Sequence, residues 1–213
     1  MTSPEHIRKE VLDYLQQQGF PADLPLPVLD ETRLRSPREV AERIIILYAL
    51  VGLAHDASPR KLRKWLTENN IYPKMHPSER ALFDGSELSE QQLTDVSWLK
   101  EALYTLAWSG GLVEDEEFGL PFKDSLLDKV FPLMPPEVEV ADFLDSLALL
   151  PEEKIFFQAD LHYCLHWISR HHKIWGTLKA PRRLNTDVLV ERRRAFEWLI
   201  DSAAPWEEVT LDT

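Results

Sequence analysis

Apolar side chains recur at three- and four-residue spacing through most of the chain, and each such stretch opens on a helix-start signal. Ser3-Pro4 starts the first, with Ile7, Val11, Leu12 and Leu15 on one face until Gly19. Proline is tolerated there because the first helical N–H groups have no intrahelical acceptor. Pro21, Pro25 and Pro27 then predict an extended connector, since proline fixes φ and has no N–H to donate. Ser36-Pro37-Arg38-Glu39 joins an N-cap, a first-turn proline and a glutamate that closes a capping box. The helix it starts is predicted to run to about Ala54. It is apolar on nearly every side from Ile44 to Val51, as expected of a helix packed all round.

Ser58-Pro59 repeats the cap-plus-proline signal, and Asn69-Asn70 ends the helix that follows. A short helix is predicted near Ser78–Phe83, stopped at Asp84-Gly85. Ser89 and Gln92 form another capping box and open a long helix to Ser109, where Gly110-Gly111 supply the stop. Residues 118–151 hold five prolines and short apolar clusters, which predicts short helices joined by turns. Within them Glu137-Val138-Glu139-Val140 alternates, which predicts a minor β element. A long helix follows from Pro151 until Gly176 and Pro181. A last one begins near Asn185 and carries Val188, Leu189, Ala195, Phe196, Leu199 and Ile200. There is no fixed-period repeat. The expectation is a mainly α protein, a single compact multi-helix domain over residues 1–213 whose first 34 residues are a helix and a proline-rich connector.

Composition narrows the class. A chain of 213 residues buries roughly 70% of the surface its unfolded form exposes, enough to need no disulfide or metal. The lone Cys164 leaves no internal disulfide framework and fits a reducing compartment. The N-terminus lacks the apolar core of a secretory signal, and the most apolar run, Ile44 to Ala54, is eleven residues long, against about 20 for a membrane span. A cytoplasmic location is the expectation, with no membrane partner.

Twenty-four Lys and Arg stand against 36 Asp and Glu, a net charge of −12. That argues against nucleic acid as a partner, which calls for a concentrated basic surface. The excess is local: residues 101–150 hold only Lys123 and Lys129 against eleven acids. Glu114, Asp115, Glu116 and Glu117 are consecutive, while Glu137, Glu139, Asp142 and Asp145 interleave with Val138, Val140, Phe143 and Leu144.

Three stretches, RSPREVAERIIILYALVGLA at 35–54, WLKEALYTLAWSGGLVE at 98–114 and RRRAFEWLIDSAAPWEEVTLDT at 192–213, resemble in content and order the bacterial domain-of-unknown-function family 4272. That family shows an Arg-Ser-x-x-Glu helix start, a central Trp-x-x-Glu-Ala helix and a closing Trp-x-x-Val-x-x-Asp-Thr. The matching positions are Arg35, Ser36 and Glu39, then Trp98, Glu101 and Ala102, then Trp206, Val209, Asp212 and Thr213. The resemblance covers most of the chain after residue 35 and implies a compact, mainly helical bacterial protein. It carries no established activity. Members of such families sometimes sit beside secreted toxins as immunity partners, and the resemblance makes that role an expectation here.

Candidate chemistry is sparse. His162 and His166 lie four apart, hence on one helix face, with Asp160, Cys164, His171 and His172 nearby. Two histidines so spaced can share a metal, but the glutamate of a His-Glu-x-x-His zinc helix is missing. They are read as structural or surface histidines flanking the apolar stripe Phe157, Leu161, Cys164, Leu165 and Ile168. Cys164 reads as a buried small hydrophobe. The basic clusters Arg60, Lys61, Arg63, Lys64 and Arg192, Arg193, Arg194 read as solvated helix faces, or as partners of the acidic segment. No nucleophile elbow or phosphate-cradling glycine loop occurs. These readings assign no catalytic residue, metal or cofactor. They make the protein a non-enzymatic binder of a basic protein, a cognate toxin with a nuclease fitting best, docked by Glu114–Glu117, Glu137, Glu139, Asp142 and Asp145. Acidic clusters speed encounter with a cationic partner, and neighbouring apolar side chains hold it. The alternatives are an unrecognised enzyme working through His162 and His166, metal-dependent or otherwise, and a structural or regulatory adaptor. Oligomeric state is left open.

Overall fold

The computed structural model describes residues 3–30, 33–85, 87–113, 139–175 and 184–212. Among these the protein is mainly helical, with eight α-helices and no strand. The helices are α1 (Pro4–Gln17), α2 (Pro37–Ala54), α3 (Pro59–Glu68), α4 (Pro77–Ala81), α5 (Glu90–Ser109), α6 (Val140–Ser146), α7 (Glu152–Trp175) and α8 (Thr186–Ile200). They form two compact units. One comprises α1, α7, α8 and the segments on either side of them; the other comprises α2 to α6.

Helix starts follow the sequence signals closely. The Ser3 side chain accepts from the His6 N–H, Ser36 and Glu39 close a reciprocal capping box, and Ser89 and Gln92 close another. Asn185 accepts from the N–H groups of Asp187 and Val188. Each such cap satisfies donors that a helix start leaves without a partner. Asn70 adopts φ 57° just beyond α3, the left-handed stop that asparagine tolerates. The fourth helix begins earlier than the predicted Ser78: His76 caps it, its ring accepting from the Ser78 N–H. A 3₁₀ turn at Tyr72–Lys74 went unpredicted.

In the α2–α6 unit, α2 packs mainly on α5 and also on α3 and α6. Ten apolar residues of α2 between Val40 and Leu53 are buried, so the helix is enclosed as its unbroken apolar run implies. The C-terminal half of α5 is buried at every residue from Glu101 to Ser109. Thr105 and Ser109 donate their hydroxyls to the carbonyls of Glu101 and Thr105, four residues back, so neither hydroxyl is stranded in the core. The buried pair Arg43–Glu79, at 2.6 Å, ties α2 to α4.

The β element expected at Glu137–Val140 is not formed where the structure describes it. Glu139 occupies the N-cap position of α6 and Val140 is its first residue. Val140 then shares its buried face with Leu144 four residues on, a helical period that two alternating residues could not reveal. Glu137 and Val138 lie outside the described residues.

In the other unit α7 packs on α1 and α8. Ile7, Val11, Leu15, Phe20, Leu161, Cys164, Leu165, Ile168 and Leu189 form one apolar cluster. Helix α7 is buried from Ala159 to Ser169 with only Trp167 half-exposed, so its apolar stripe is wider than the predicted one.

Candidate functional site

The predicted docking acids divide by placement. Glu139, Asp142 and Asp145 sit on the exposed side of α6, whose other side buries Val140 and Leu144, with Leu147 buried just beyond. Asp145 pairs with Arg38 at 2.7 Å, an exposed contact between α6 and α2. Arg38 also reaches Glu42, which itself takes an ion pair from Lys74. Neither Glu139 nor Asp142 has an ion pair among the described residues. Glu114, Asp115, Glu116, Glu117 and Glu137 lie outside the described residues.

The histidine group is interior. His162 and His166 are 4% and 3% exposed, within the core and not along its flank. The Nδ1 of His162 donates to the Gln158 carbonyl at 2.8 Å, its ring lies 4.9 Å from that of Phe196, and its Nε2 has no hydrogen-bond partner among the described residues. Burial, with Arg192 nearby, pushes its pKa down to about 3. The Nδ1 of His166 lies 2.8 Å from Nη1 of Arg193. A guanidinium only donates, so Nδ1 of His166 is the acceptor and its ring is neutral. Burial, then Arg193 and Arg170, push that pKa down to about 4. Burial is the larger cause for both rings, and the neighbouring guanidinium groups that add to it also oppose a divalent cation there. Among the described residues no group of three or more His, Cys, Asp or Glu side chains converges as metal ligands would. Cys164 is fully buried, and desolvation pushes its thiol up to about 12.

Around these histidines lies a polar cluster that the spacing of residues did not reveal. Arg8 of α1 forms a two-pronged pair with Asp160 of α7, at 2.7 and 2.6 Å, and donates to the carbonyls of Leu26 and Pro27. Arg8 and Arg193 both stack on the ring of Tyr163, at 5.7 and 4.6 Å from its centroid. Arg193 also bonds Glu197 one turn along α8, and donates to the carbonyls of Leu211 and Asp212. Arg192 and Arg193 are 2% and 3% exposed, so the expectation of a solvated face at 192–194 fails there. Arg193 is engaged by an acceptor ring, a carboxylate and two carbonyls, which offset its desolvation. The cluster at 60–64 behaves as expected: all four cations are exposed, with Arg63 paired to Asp84 and Lys64 to Glu68.

Arg35 and the closing motif meet in the same unit as this cluster. Arg35 donates to the carbonyls of Trp198, Asp201 and Ala204, and its own N–H donates to that of Leu199. It thus places a cation at the C-terminus of α8, where the helix dipole favours one. Its guanidinium lies 4.3 Å from the centroid of Trp198, and Trp206 packs edge-on against Trp198 at 5.6 Å. The closing segment runs over the surface with Ala204, Trp206, Val209 and Leu211 half-buried. Glu101 of the central motif is fully buried in α5.

No curated protein and no solved structure matches the chain. A family model does, described as Domain of unknown function (DUF4272), and it covers residues 8–209. The match spans nearly the whole of the 213 residues, from Arg8 within α1 through the acidic segment to Val209, short of Asp212 and Thr213, and the chain belongs to the DUF4272 family.

Proposed function

We propose that this protein is a cytoplasmic, non-enzymatic binding protein that neutralises a secreted bacterial toxin by direct contact through an acidic surface. The observation that carries the reading is the division of α6, where Val140 and Leu144 anchor the helix while Glu139 and Asp142 face outward without an ion pair among the described residues. These acids lie within residues 114–153, whose twelve acids and two lysines carry most of the net charge of the chain. A cationic partner gains attraction there, and neighbouring apolar side chains then prolong the contact. A nuclease toxin fits best, because an enzyme that grips nucleic acid must present a basic surface.

The test uses the product of the reading frame beside this gene as the probe. Association is followed by stopped flow from low to high salt. The expected result is an on-rate that falls steeply with salt, and that falls several-fold at low salt in E139Q/D142N while the off-rate changes little. A tight complex whose on-rate ignores both salt and these substitutions would move the interface elsewhere. Absence of any toxin-like neighbour would favour the enzyme and adaptor readings.

The enzyme reading has one observation on its side, the unpartnered Nε2 of His162. A substrate would have to reach a side chain that is 4% exposed. The binding reading is therefore the stronger.

A further inference from the structure

We propose that His166 and Arg193 form a proton-operated clamp on the closing segment: a neutral His166 holds Arg193 against Leu211 and Asp212, and a proton on its ring opens the clamp. Three contacts meet on Arg193. Nη1 donates to Nδ1 of His166 at 2.8 Å and to the Leu211 carbonyl at 3.4 Å, while Nη2 donates to the Asp212 carbonyl at 3.2 Å. The same Nη1 therefore serves both the sensor and the strap. Protonation removes the lone pair that accepts from Arg193 and sets two cations in contact. Arg193 must then withdraw, and its grip on the two carbonyls goes with it.

Among the described residues, the carboxylates beside this contact are already paired. On α8, Arg193 and Arg192 are buried cations, and Glu197 is already engaged by Arg193. On α7, Arg170 adds positive charge to His166, while Asp160 is taken by Arg8 of α1. Tyr163 contributes a ring face to both arginines and no negative charge at neutral pH, because burial raises its pKa. From the strap come two carbonyls, and the exposed Asp212 offers its main-chain oxygen to Arg193.

The closing segment is suited to local release, since none of its residues from Asp201 to Asp212 is fully buried. Segments with few buried contacts open at less cost than the body they lie on. The sign follows from linkage. The closed form holds His166 near 4, against 6.5 for an unperturbed ring. Closure is therefore complete above about pH 6.5 and weakens as the pH falls toward 4, by less than the roughly 300-fold that full restoration of the ordinary value would give, because burial, the larger cause, outlasts the withdrawal of Arg193. Below that the loss levels off.

Hydrogen exchange of the full chain between pH 7.5 and 4 tests the clamp, with rates converted to protection factors so that intrinsic pH effects cancel. The amides of Trp206 to Asp212 are expected to lose protection progressively below pH 6.5 while the interior amides of α7 and α8 keep theirs. H166Q, whose side-chain oxygen accepts but takes no proton in this range, is expected to keep the segment closed down to pH 4. R193Q is expected to open it already at pH 7.5. Equal acid-dependent loss in H166Q and the parent would assign the effect to carboxylates and overturn the proposal. So would unchanged protection of 206–212 in the parent down to pH 4. Should H166Q fail to fold, the imidazole titration of His166 in the parent replaces it. Its midpoint must track opening of the segment, and a midpoint separated from that opening would overturn the clamp.

Discussion

Replacing Arg8 with methionine puts the buried polar cluster under direct strain. Methionine keeps much of the aliphatic length, so the change is mainly one of charge and hydrogen bonding. Asp160, itself 2% exposed, loses two charge-assisted bonds of 2.7 and 2.6 Å. The carbonyls of Leu26 and Pro27 lose their donors too. Removing one member of a buried ion pair strands the other, at a cost of about 3–5 kcal/mol. For a chain of this size that corresponds to a fall in Tm of roughly 6–20 °C. The assay is urea unfolding followed in parallel by far-UV circular dichroism and tryptophan emission, for the parent, R8M, D160L and R8M/D160L. The double variant leaves no stranded charge. It is expected to recover well over half of the loss caused by either single change, with only the Leu26 and Pro27 carbonyls to be satisfied by water. A coupling energy of at least 2 kcal/mol in that cycle is the expected signature. R8M costing less than about 1 kcal/mol, or a double variant as unstable as the sum of the singles, would refute the argument.

Three further outcomes follow from individual contacts. Arg35→Lys retains the charge but loses the planar fork that reaches the Trp198 and Asp201 carbonyls and stacks on Trp198; a loss of about 2 kcal/mol is expected, with red-shifted tryptophan emission as Trp206 loosens. Cys164, fully buried with its thiol pushed up to about 12, is expected to resist a disulfide reagent at pH 8 and to react only as fast as the protein unfolds, so prompt labelling of the folded chain would contradict its placement. Gly110→Ala would set a Cβ 2.7 Å from Cδ1 of Leu147, displacing that side chain, with an expected cost of about 1–3 kcal/mol that L147A in the same chain reduces.

Helix positions were legible in the sequence because they rest on local chemistry. Ser36 with Glu39, Ser89 with Gln92, and Asn185 each set a start through bonds spanning two or three residues. The β element at Glu137–Val140 misled for the same reason that it was visible. Four alternating residues suit a strand, and they equally suit the approach to a helix whose next apolar residue comes at Leu144. The interior polar cluster was illegible because its members are far apart in the chain: 152 residues separate Arg8 from Asp160, and 27 separate His166 from Arg193. Arg192 and Arg193 misled most. A run of three arginines suggests a wet helix face, but a guanidinium can be buried wherever a ring nitrogen, a carboxylate and several carbonyls converge, and no local pattern records that convergence. One hint was present. The closing motif needs something to hold it, and a polar, half-buried segment is most readily held through its carbonyls by buried donors.

The residues that carry the family resemblance share a structural task. Arg35 and Ser36 are neighbours in sequence and serve different helices: Arg35 caps the end of α8, whereas Ser36 closes the capping box that opens α2. Trp206 packs on Trp198, and the main chain at Asp212 is held by Arg193. Every one of these contacts fixes an end of a helix or the course of the closing segment, and none presents a reactive group to solvent. A motif built this way specifies the frame on which a function is mounted. On the proposed binding role, specificity falls to exposed positions outside that frame, and Glu139 and Asp142 of α6 are positions of that kind.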